Sequence, residues 1–247
     1  MVRAVFQRDG FFYALLIFFL IGNIGLWLHT RHTRPVWGNV PPALSERGAT
    51  MMATGDRQLA YRITGLMLQN IGNAGGESHA LKDYNYNALR DWFFLADKMD
   101  PKSYYVPYLV AYYFGATQNP EQLNAVIDYL HEIGIRPGQN RWRMLAHAVY
   151  LARYRQGDLN KALDLANILA GLDRPDLPLW AKSMPAFVVR AKGDKEGAYT
   201  MMMGMLAEGI KDKSLSEYDI RLLRDNICNQ ILTPEQAAKD EVCKASR

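Results

Sequence analysis

The sequence has few of the residues that carry catalytic or metal chemistry. Two cysteines and five histidines are spread over 247 residues, and no two histidines have the spacing of a His-Glu-x-x-His site. No Gly-x-x-x-x-Gly-Lys-Ser/Thr, Gly-x-Gly-x-x-Gly or Gly-x-Ser-x-Gly stretch is present, so nucleotide binding and serine hydrolysis lack support. We therefore expect a non-enzymatic protein with no cofactor, no metal and no small-molecule substrate.

The sequence also lacks a marked excess of one charge. The net charge of +4 and the pI near 9.0 invite a nucleic-acid interpretation. However, four of the 29 basic residues and one of the 25 acidic residues precede position 35, which leaves 25 basic and 24 acidic residues in the rest. A balance of this kind gives no electrostatic footprint for a polyanion. We expect no nucleic-acid partner.

The two cysteines, Cys228 and Cys243, leave the redox state of the pair open. In an oxidising compartment they can form a disulfide. If two antiparallel helices meet at Thr233, however, one cysteine lies five residues from the corner and the other ten. At about 1.5 Å per residue their heights differ by about 7 Å, which argues against an easy bridge unless the tail folds back.

One long apolar run is present near the start of the chain. From Phe11 to Leu28, 18 residues carry no charge, and Tyr13 and Trp27 lie near its ends as interfacial aromatic residues do. A buried core helix should have a polar face, whereas this run has only Asn23. A signal peptide should be followed by a small-x-small cleavage site, which is missing. We predict an uncleaved transmembrane anchor that contacts the lipid bilayer over residues 11–28.

The orientation of this anchor is weakly determined. Arg3 and Arg8 before the run are balanced by Arg31 and Arg34 after it. A short tail followed by a long domain is the usual plan of an anchor whose bulk is exported, and the absence of Asn-x-Ser/Thr mildly favours a bacterial source. We predict a single-pass protein of a bacterial inner membrane, with the bulk of the chain in the periplasm.

A helix–turn–helix pattern recurs in the second half of the chain. The stretch Arg153–Leu169 contains a turn at Gly157 followed by a helix in which Ala162 begins an apolar stripe. The same pattern returns at Gly193 and Ala198, so both residue types recur after 36 positions. A small residue at this point of each second helix lets two backbones approach closely.

This pattern resembles the tetratricopeptide (TPR) repeat, a pair of antiparallel helices with a short turn. Phe93–Pro101 looks like the second helix of another repeat, and Gln118–Glu121 occupies the turn of the one between. The spacing exceeds the family's usual value of about 34, and its first-helix consensus residues are mostly absent. The resemblance implies an all-α fold, in which an N-terminal single transmembrane helix is followed by a TPR-like helical-hairpin solenoid with a C-terminal capping helix pair.

The expected division of the chain follows from these features. Pro41 and Pro42 preclude a regular helix around them, while Ser216 and the capping box at Thr233 begin two terminal helices. A helix over Asp56–Ile71 has its large apolar residues on one side. The predicted segments are a tail at 1–10, an anchor at 11–28, a linker at 29–54, TPR-like repeats at 55–213 and capping helices at 214–247.

The resemblance also implies where a partner would bind. In TPR repeats the first helix of each hairpin builds the inner face, and carrying the Gly157 and Gly193 alignment onto this chain gives a groove of His147, Leu151, Tyr154, Trp180, Phe187 and Arg190. The segment Tyr104–Phe114 has six aromatic residues in eleven. Its tyrosines either pack between hairpins or add a second stripe, represented by Tyr113, to this groove.

We therefore expect a non-catalytic, membrane-tethered TPR-like scaffold that holds a protein partner of an envelope assembly. The alternative is an accessory subunit of a stable membrane complex, anchored through its transmembrane helix. Gly22 and Gly25 favour that alternative because small residues permit close helix packing. An extracytoplasmic enzyme is the third hypothesis.

Overall fold

A computed structural model describes residues 2–31, 40–71 and 79–244, and every regular element in these ranges is helical. The prediction of an all-α fold is confirmed for this part of the chain. The chain divides into two compact units, Met1–Gly38 and Asn39–Arg247.

The described part of the first unit forms helix α1, which runs from Val2 to Thr30. Its segment Gly10–Thr30 has 21 residues and a mean hydropathy of 2.2, and none of its hydrophobic window is buried. At about 1.5 Å per residue this segment covers about 30 Å, the thickness of a bilayer's hydrocarbon core. Helix α1 is therefore long and apolar enough to span a membrane. The predicted tail at 1–10 is not separate from it, because the helix is continuous from Val2.

The second unit begins earlier than expected, so the linker predicted at 29–54 is too long. Helix α2 (Glu46–Met52) lies inside it, with the side chain of Ser45 accepting a hydrogen bond from the Gly48 amide. The chain is not helical at the prolines, yet the carbonyl of Pro41 accepts a 2.8 Å hydrogen bond from the Trp92 indole. Val40, Ala49 and Ala53 are buried in the core. Burial of these side chains makes residues 40–54 part of the folded unit.

Helices that pack on their neighbours in sequence make up the middle of this unit. The helices are α3 (Arg57–Asn70), α4 (Tyr86–Met99), α5 (Tyr105–Tyr112), α6 (Leu123–Ile135), α7 (Trp142–Tyr150) and α8 (Leu159–Ala170). Helix α7 is prolonged by one wide π-helical turn at Leu151–Gln156. Short 3₁₀ turns precede α4 and α6.

The recurring turn is present at both predicted positions. Gly157 and Gly193 have φ angles of +73° and +94°, in the left-handed region that glycine adopts without steric cost. Asp158 and Asp194 then cap α8 and the helix Lys195–Lys211 by accepting hydrogen bonds from backbone amides. Ala162 and Ala198 are fully buried, as their small size and spacing indicate.

Hydrogen bonds join positions that are 36 residues apart along the chain. Five such bonds connect successive segments: Tyr105 Oη to Gln69 Oε1 at 2.5 Å, His147 Nε2 to the Ala111 carbonyl at 2.9 Å, the Asn140 amide to Asp176 Oδ2 at 2.7 Å, Gln156 Nε2 to the Pro120 carbonyl at 3.0 Å, and Arg174 Nη1 to the Gly138 carbonyl at 3.3 Å. The separation equals that of the repeated glycine and alanine. At these places, residues that have the spacing of the repeated glycines and alanines are in contact.

A buried ionic cluster joins α4 to the segment between α6 and α7. The carboxylate of Asp97, on α4, is buried and forms ion pairs with Arg136 and Arg141. Arg141 also donates to the carbonyl of Pro101. Burial raises the pKa of the neighbouring Tyr129 hydroxyl well above its usual value. These groups fix the position of the α6–α7 connection against α4.

The apolar residues of α3 do not all face the core. The helix begins after Asp56 as expected, but Leu59, Ile63 and Leu66 are exposed. The buried side has small residues such as Gly65, where a Cβ would lie 2.8 Å from the Tyr105 ring. Close packing against α5 therefore requires a small residue at Gly65, while Tyr61 and Leu68 fill the rest of the buried side.

The last part of the unit has its own hydrophobic cluster. Capping boxes are present at Ser216 with Asp219 and at Thr233 with Gln236, as predicted. The helices are α9 (Leu179–Lys182), α10 (Met184–Ala191), α11 (Lys195–Lys211), α12 (Glu217–Asp225, continued by a π-helical turn at Asn226–Ile231), α13 (Pro234–Lys239) and α14 (Glu241–Lys244).

Cys228 and Cys243 form a disulfide with a Cα–Cα distance of 5.7 Å. The height difference that argued against this bond does not arise, because the terminal helix is not continuous. Helix α13 ends at Lys239, and the extended backbone of Asp240 redirects the chain into α14. The Tyr199 hydroxyl holds this corner by donating to Asp240 Oδ2 at 2.7 Å. The tail thus returns toward the cysteine of the preceding helix.

Two glycines provide a test of the packing of α6 on α7. A Cβ at Gly134 would lie 2.5 Å from the Leu145 backbone nitrogen, whereas one at Gly204 would meet no other atom within 4 Å. We expect Gly134→Ala to destabilise the protein by about 1–3 kcal/mol through overpacking. Gly204→Ala should be neutral or stabilising by up to about 1 kcal/mol, because alanine is the better helix former. Thermal unfolding in detergent followed by circular dichroism measures both, and equal shifts in Tm would contradict this packing.

Candidate functional site

A row of aromatic side chains crosses from α5 to α7 on the surface of the second unit. Along α5, the ring centroids of Tyr104 and Tyr108 are 6.1 Å apart, and those of Tyr108 and Tyr112, which stack, are 5.9 Å apart. Between the helices, the ring centroids of Tyr112 and His147 are 4.7 Å apart. Along α7 and its π-helical turn, the centroid distances are 5.5 Å from His147 to Tyr150 and 5.1 Å from Tyr150 to Tyr154. We call this row the aromatic ladder; its members in order are Tyr104, Tyr108, Tyr112, His147, Tyr150 and Tyr154.

Helical geometry places the ladder outside the core. On α5, Val106 and Val110 are fully buried, so tyrosines at i, i+4 and i+8 from position 104 lie on a different side. On α7, Leu145 and Val149 fill the core and leave the ladder residues at the surface. Tyr112 and Tyr154 keep 63% and 60% of their surface exposed. The ladder is therefore a large aromatic surface that the described residues of the chain leave largely uncovered.

His147 joins the two parts of the ladder. Its Nε2–H donates to the Ala111 carbonyl at 2.9 Å, which requires the proton on Nε2. Burial lowers the pKa of His147, and this outweighs the hydrogen bond, which raises it. The imidazole is therefore neutral at pH 7 and acts as a fixed link between α5 and α7.

Two depressions lie along the ladder. The first, of about 260 Å³, is lined by Val149, Tyr150, Arg153, Tyr154, Trp180, Met184, Phe187, Val188 and Arg190. The second, of about 420 Å³, is lined by Ala111, Tyr112, Gly115, Ala116, His147, Tyr150, Leu151 and Arg155. Tyr150 lines both, so the two depressions adjoin. We call them together the groove.

The structure brings most of the predicted partner-binding residues together. Tyr154, Trp180, Phe187 and Arg190 all line the first depression, and Trp180 retains 42% of its surface.

The remaining predicted groove residues are placed differently. His147 and Leu151 line the second depression, although Leu151 is buried and offers only its floor. Tyr113 lines neither depression, because it follows Tyr112 by one residue and so points about 100° away around α5. Its ring packs against Phe114 instead.

Gly22 and Gly25 lie on α1, in the first unit. A Cβ at either position would meet no atom within 4 Å. Both glycines are therefore on open surface of the helix in the described part of the chain.

Three arginines that sequence reasoning did not bring together surround the groove. Arg155 donates to the carbonyls of Ala116 and Thr117 at 3.3 and 3.0 Å, and Arg190 donates to the backbone and side-chain oxygens of Gln230 at 2.8 and 3.1 Å. Arg153 lies over the Tyr154 ring at 4.5 Å. Neither depression is lined by a carboxylate, and no ion pair engages these arginines among the described residues. The groove thus has uncompensated positive charge.

Sequence reasoning missed Tyr112 and Tyr150 as groove residues. Their helical spacing was visible, but the same spacing is typical of a core stripe. Only the burial of the valines on α5, and of Leu145 and Val149 on α7, shows that these tyrosines face outward.

Side chains that bind metal ions do not form a cluster in the described part of the chain. Within residues 2–31, 40–71 and 79–244, no three His, Cys, Asp or Glu side chains lie close enough to hold an ion. The groove is suited to contact through aromatic surface and guanidinium groups.

Comparison with models of protein families, with characterised proteins and with solved structures found no match for this chain. The function of the groove is therefore inferred from its residues.

The neutral, partly buried His147 predicts a pH dependence of stability. Its pKa in the folded protein is lowered from the unfolded value of about 6.5, so the unfolded state binds more protons as the pH falls through this range. Its contribution to stability is present above pH about 6.5 and is lost progressively below that value. His147→Gln retains an N–H donor and cannot titrate, so its Tm should fall less steeply between pH 7.5 and 5. Parallel Tm curves for the two proteins would show that His147 is not buried in its neutral form.

Proposed function

We propose that this protein is a non-catalytic, membrane-tethered scaffold of TPR-like helical hairpins that binds a protein partner in its groove. The observation that carries the proposal is the aromatic ladder, together with the adjoining Trp180 and Phe187. Aromatic residues and arginine are the types enriched where binding energy concentrates in protein interfaces. Exposing such a surface is unfavourable for a protein that has no partner.

The recurrence of contacts supports a TPR-like stack. Glycine turns at Gly157 and Gly193, buried alanines five residues later, and hydrogen bonds between positions 36 apart all repeat with one period. In a stack of hairpins each repeat contacts its neighbours, so one period should appear in the sequence and in the contacts. In such a stack the first helix of each hairpin supplies the groove; here the lining residues come from α5, from α7 and its π-helical turn, and from α9 and α10.

The tether follows from α1, whose apolar segment matches the thickness of a bilayer. We place the protein in a bacterial inner membrane, with Asn39–Arg247 in the periplasm. The disulfide between Cys228 and Cys243 supports this orientation, because structural disulfides persist in oxidising compartments and are rare in the cytosol.

The alternative function is that of an accessory subunit of a stable membrane complex. The observation that favours it is the open surface of α1 at Gly22 and Gly25, where another transmembrane helix could approach closely. In that case α1 carries the association and the groove does not.

The groove is tested by removing its aromatic anchors. Tyr154→Ala and Trp180→Ala should each weaken partner binding by about 2 kcal/mol or more, because truncating an aromatic anchor in a desolvated groove removes most of its contact. Crosslinking in intact membranes followed by quantitative affinity purification measures the loss. Tyr218→Ala is the matched control, since Tyr218 is 66% exposed on α12 and lies outside the groove.

These variants also separate the two functions. All of them should retain the wild-type Tm and helix content. A partner that stays bound to the groove variants, and is lost with Gly22→Leu and Gly25→Leu, would show that the transmembrane helix carries the association.

The orientation is tested by a fusion of alkaline phosphatase after Arg247. This enzyme needs an oxidising compartment for its own disulfides, so we expect full activity in intact bacteria. A cytoplasmic reporter fused at the same position should be inactive. The opposite pattern would reverse the orientation and would require another explanation for the disulfide.

A further inference from the structure

We infer that the segment bound in the groove is an acidic peptide that carries bulky apolar side chains. This inference rests on the proposed function and specifies the chemistry of the partner. Two properties of the groove carry it: positive charge without a carboxylate, and an apolar depression bordered by that charge.

The charge is available to a ligand. The side chain of Arg153 has no hydrogen bond or ion pair within the described part of the chain, and its guanidinium lies over the ring of Tyr154. Arg155 and Arg190 use some of their donors on oxygens of the chain. A guanidinium has five N–H donors, so each keeps donors free while its position is fixed. Such prepositioned guanidinium groups suit the planar oxygens of a carboxylate.

The apolar part of the site lies between two of these arginines. Trp180, Phe187 and Met184 form the walls of the first depression, and Arg153 and Arg190 line it as well. An aromatic or aliphatic side chain would bury its surface there, while flanking carboxylates would reach the guanidinium groups. An apolar residue adjacent to Asp or Glu in the partner satisfies both requirements.

The observations favour a peptide over a nucleic acid. Tyr108 stacks face to face on Tyr112, with an interplanar angle of 17°, so these rings already cover one another in part. A nucleic-acid strand also presents a continuous row of phosphates, which requires an extended basic stripe. The groove has three arginines, and the chain beyond position 34 has 25 basic and 24 acidic residues.

The test is a selection from a phage-displayed library of random dodecapeptides against the full-length protein in lipid nanodiscs. We expect the recovered sequences to be enriched in Asp and Glu next to a large apolar residue. Binding of a synthetic peptide from this set should weaken about tenfold or more in the Arg153→Gln/Arg190→Gln double variant, since charge pairing is lost while the apolar walls remain. Arg62→Gln, an exposed arginine on α3, should bind as the wild type does.

The outcomes distinguish this inference from the proposed function. Peptides that require Trp180 but show no acidic enrichment, or that ignore the arginine substitutions, would overturn the inference and leave the groove as a partner site. Peptides that bind equally to Trp180→Ala and Tyr154→Ala would overturn both. A fluorescent 20-nucleotide single strand serves as the competitor. If this strand displaces the selected peptide and binds more tightly, the ligand of the groove would be a nucleic acid and not an acidic peptide.

Discussion

The buried carboxylate of Asp97 constrains how α4 packs against the connection between α6 and α7. A charge in the interior is costly unless it is paired and hydrogen-bonded, and its partners, Arg136 and Arg141, come from the connection between α6 and α7. Moving Asp97 away would leave the buried guanidinium of Arg141 without its counter-charge, so α4 and this connection are restricted to one relative position. Because α7 begins directly after Arg141, the same cluster sets where the second half of the aromatic ladder starts.

The close approach of helices transmits this constraint to the groove. Gly134 and Gly65 have no room for a Cβ, and α7 and the ring of Tyr105 come close to them. With these contacts fixed, the core sides of α5 and α7 are occupied by aliphatic residues, and the tyrosines lie at the surface. His147 then links the two helices through the carbonyl of Ala111. The ladder is thus a consequence of how small and aliphatic residues fill the interior.

A tether and a groove complement each other in the proposed scaffold. Anchoring both the scaffold and its partner at one membrane raises their effective concentration, so a groove of modest intrinsic affinity can hold a partner there. A few exposed aromatic residues and three arginines are sufficient for such a site, and catalytic groups are not needed. The disulfide closes the C-terminal end of the second unit, where a stack of helices needs a stable terminus.

Local features of the sequence determined the helices, the glycine turns, the capping boxes and the apolar helix α1, because each depends on residues close together in the chain. The repeat spacing also predicted that one site contains Tyr154, Trp180, Phe187 and Arg190. Tertiary structure alone decided that Tyr112 and not Tyr113 lines the groove, and that Leu59, Ile63 and Leu66 are exposed. It also decided that residues 40–54 are folded and that Cys228 is bonded to Cys243. Periodicity shows that a helix has an apolar side, but which side is buried depends on the volume and charge that neighbouring helices present to it.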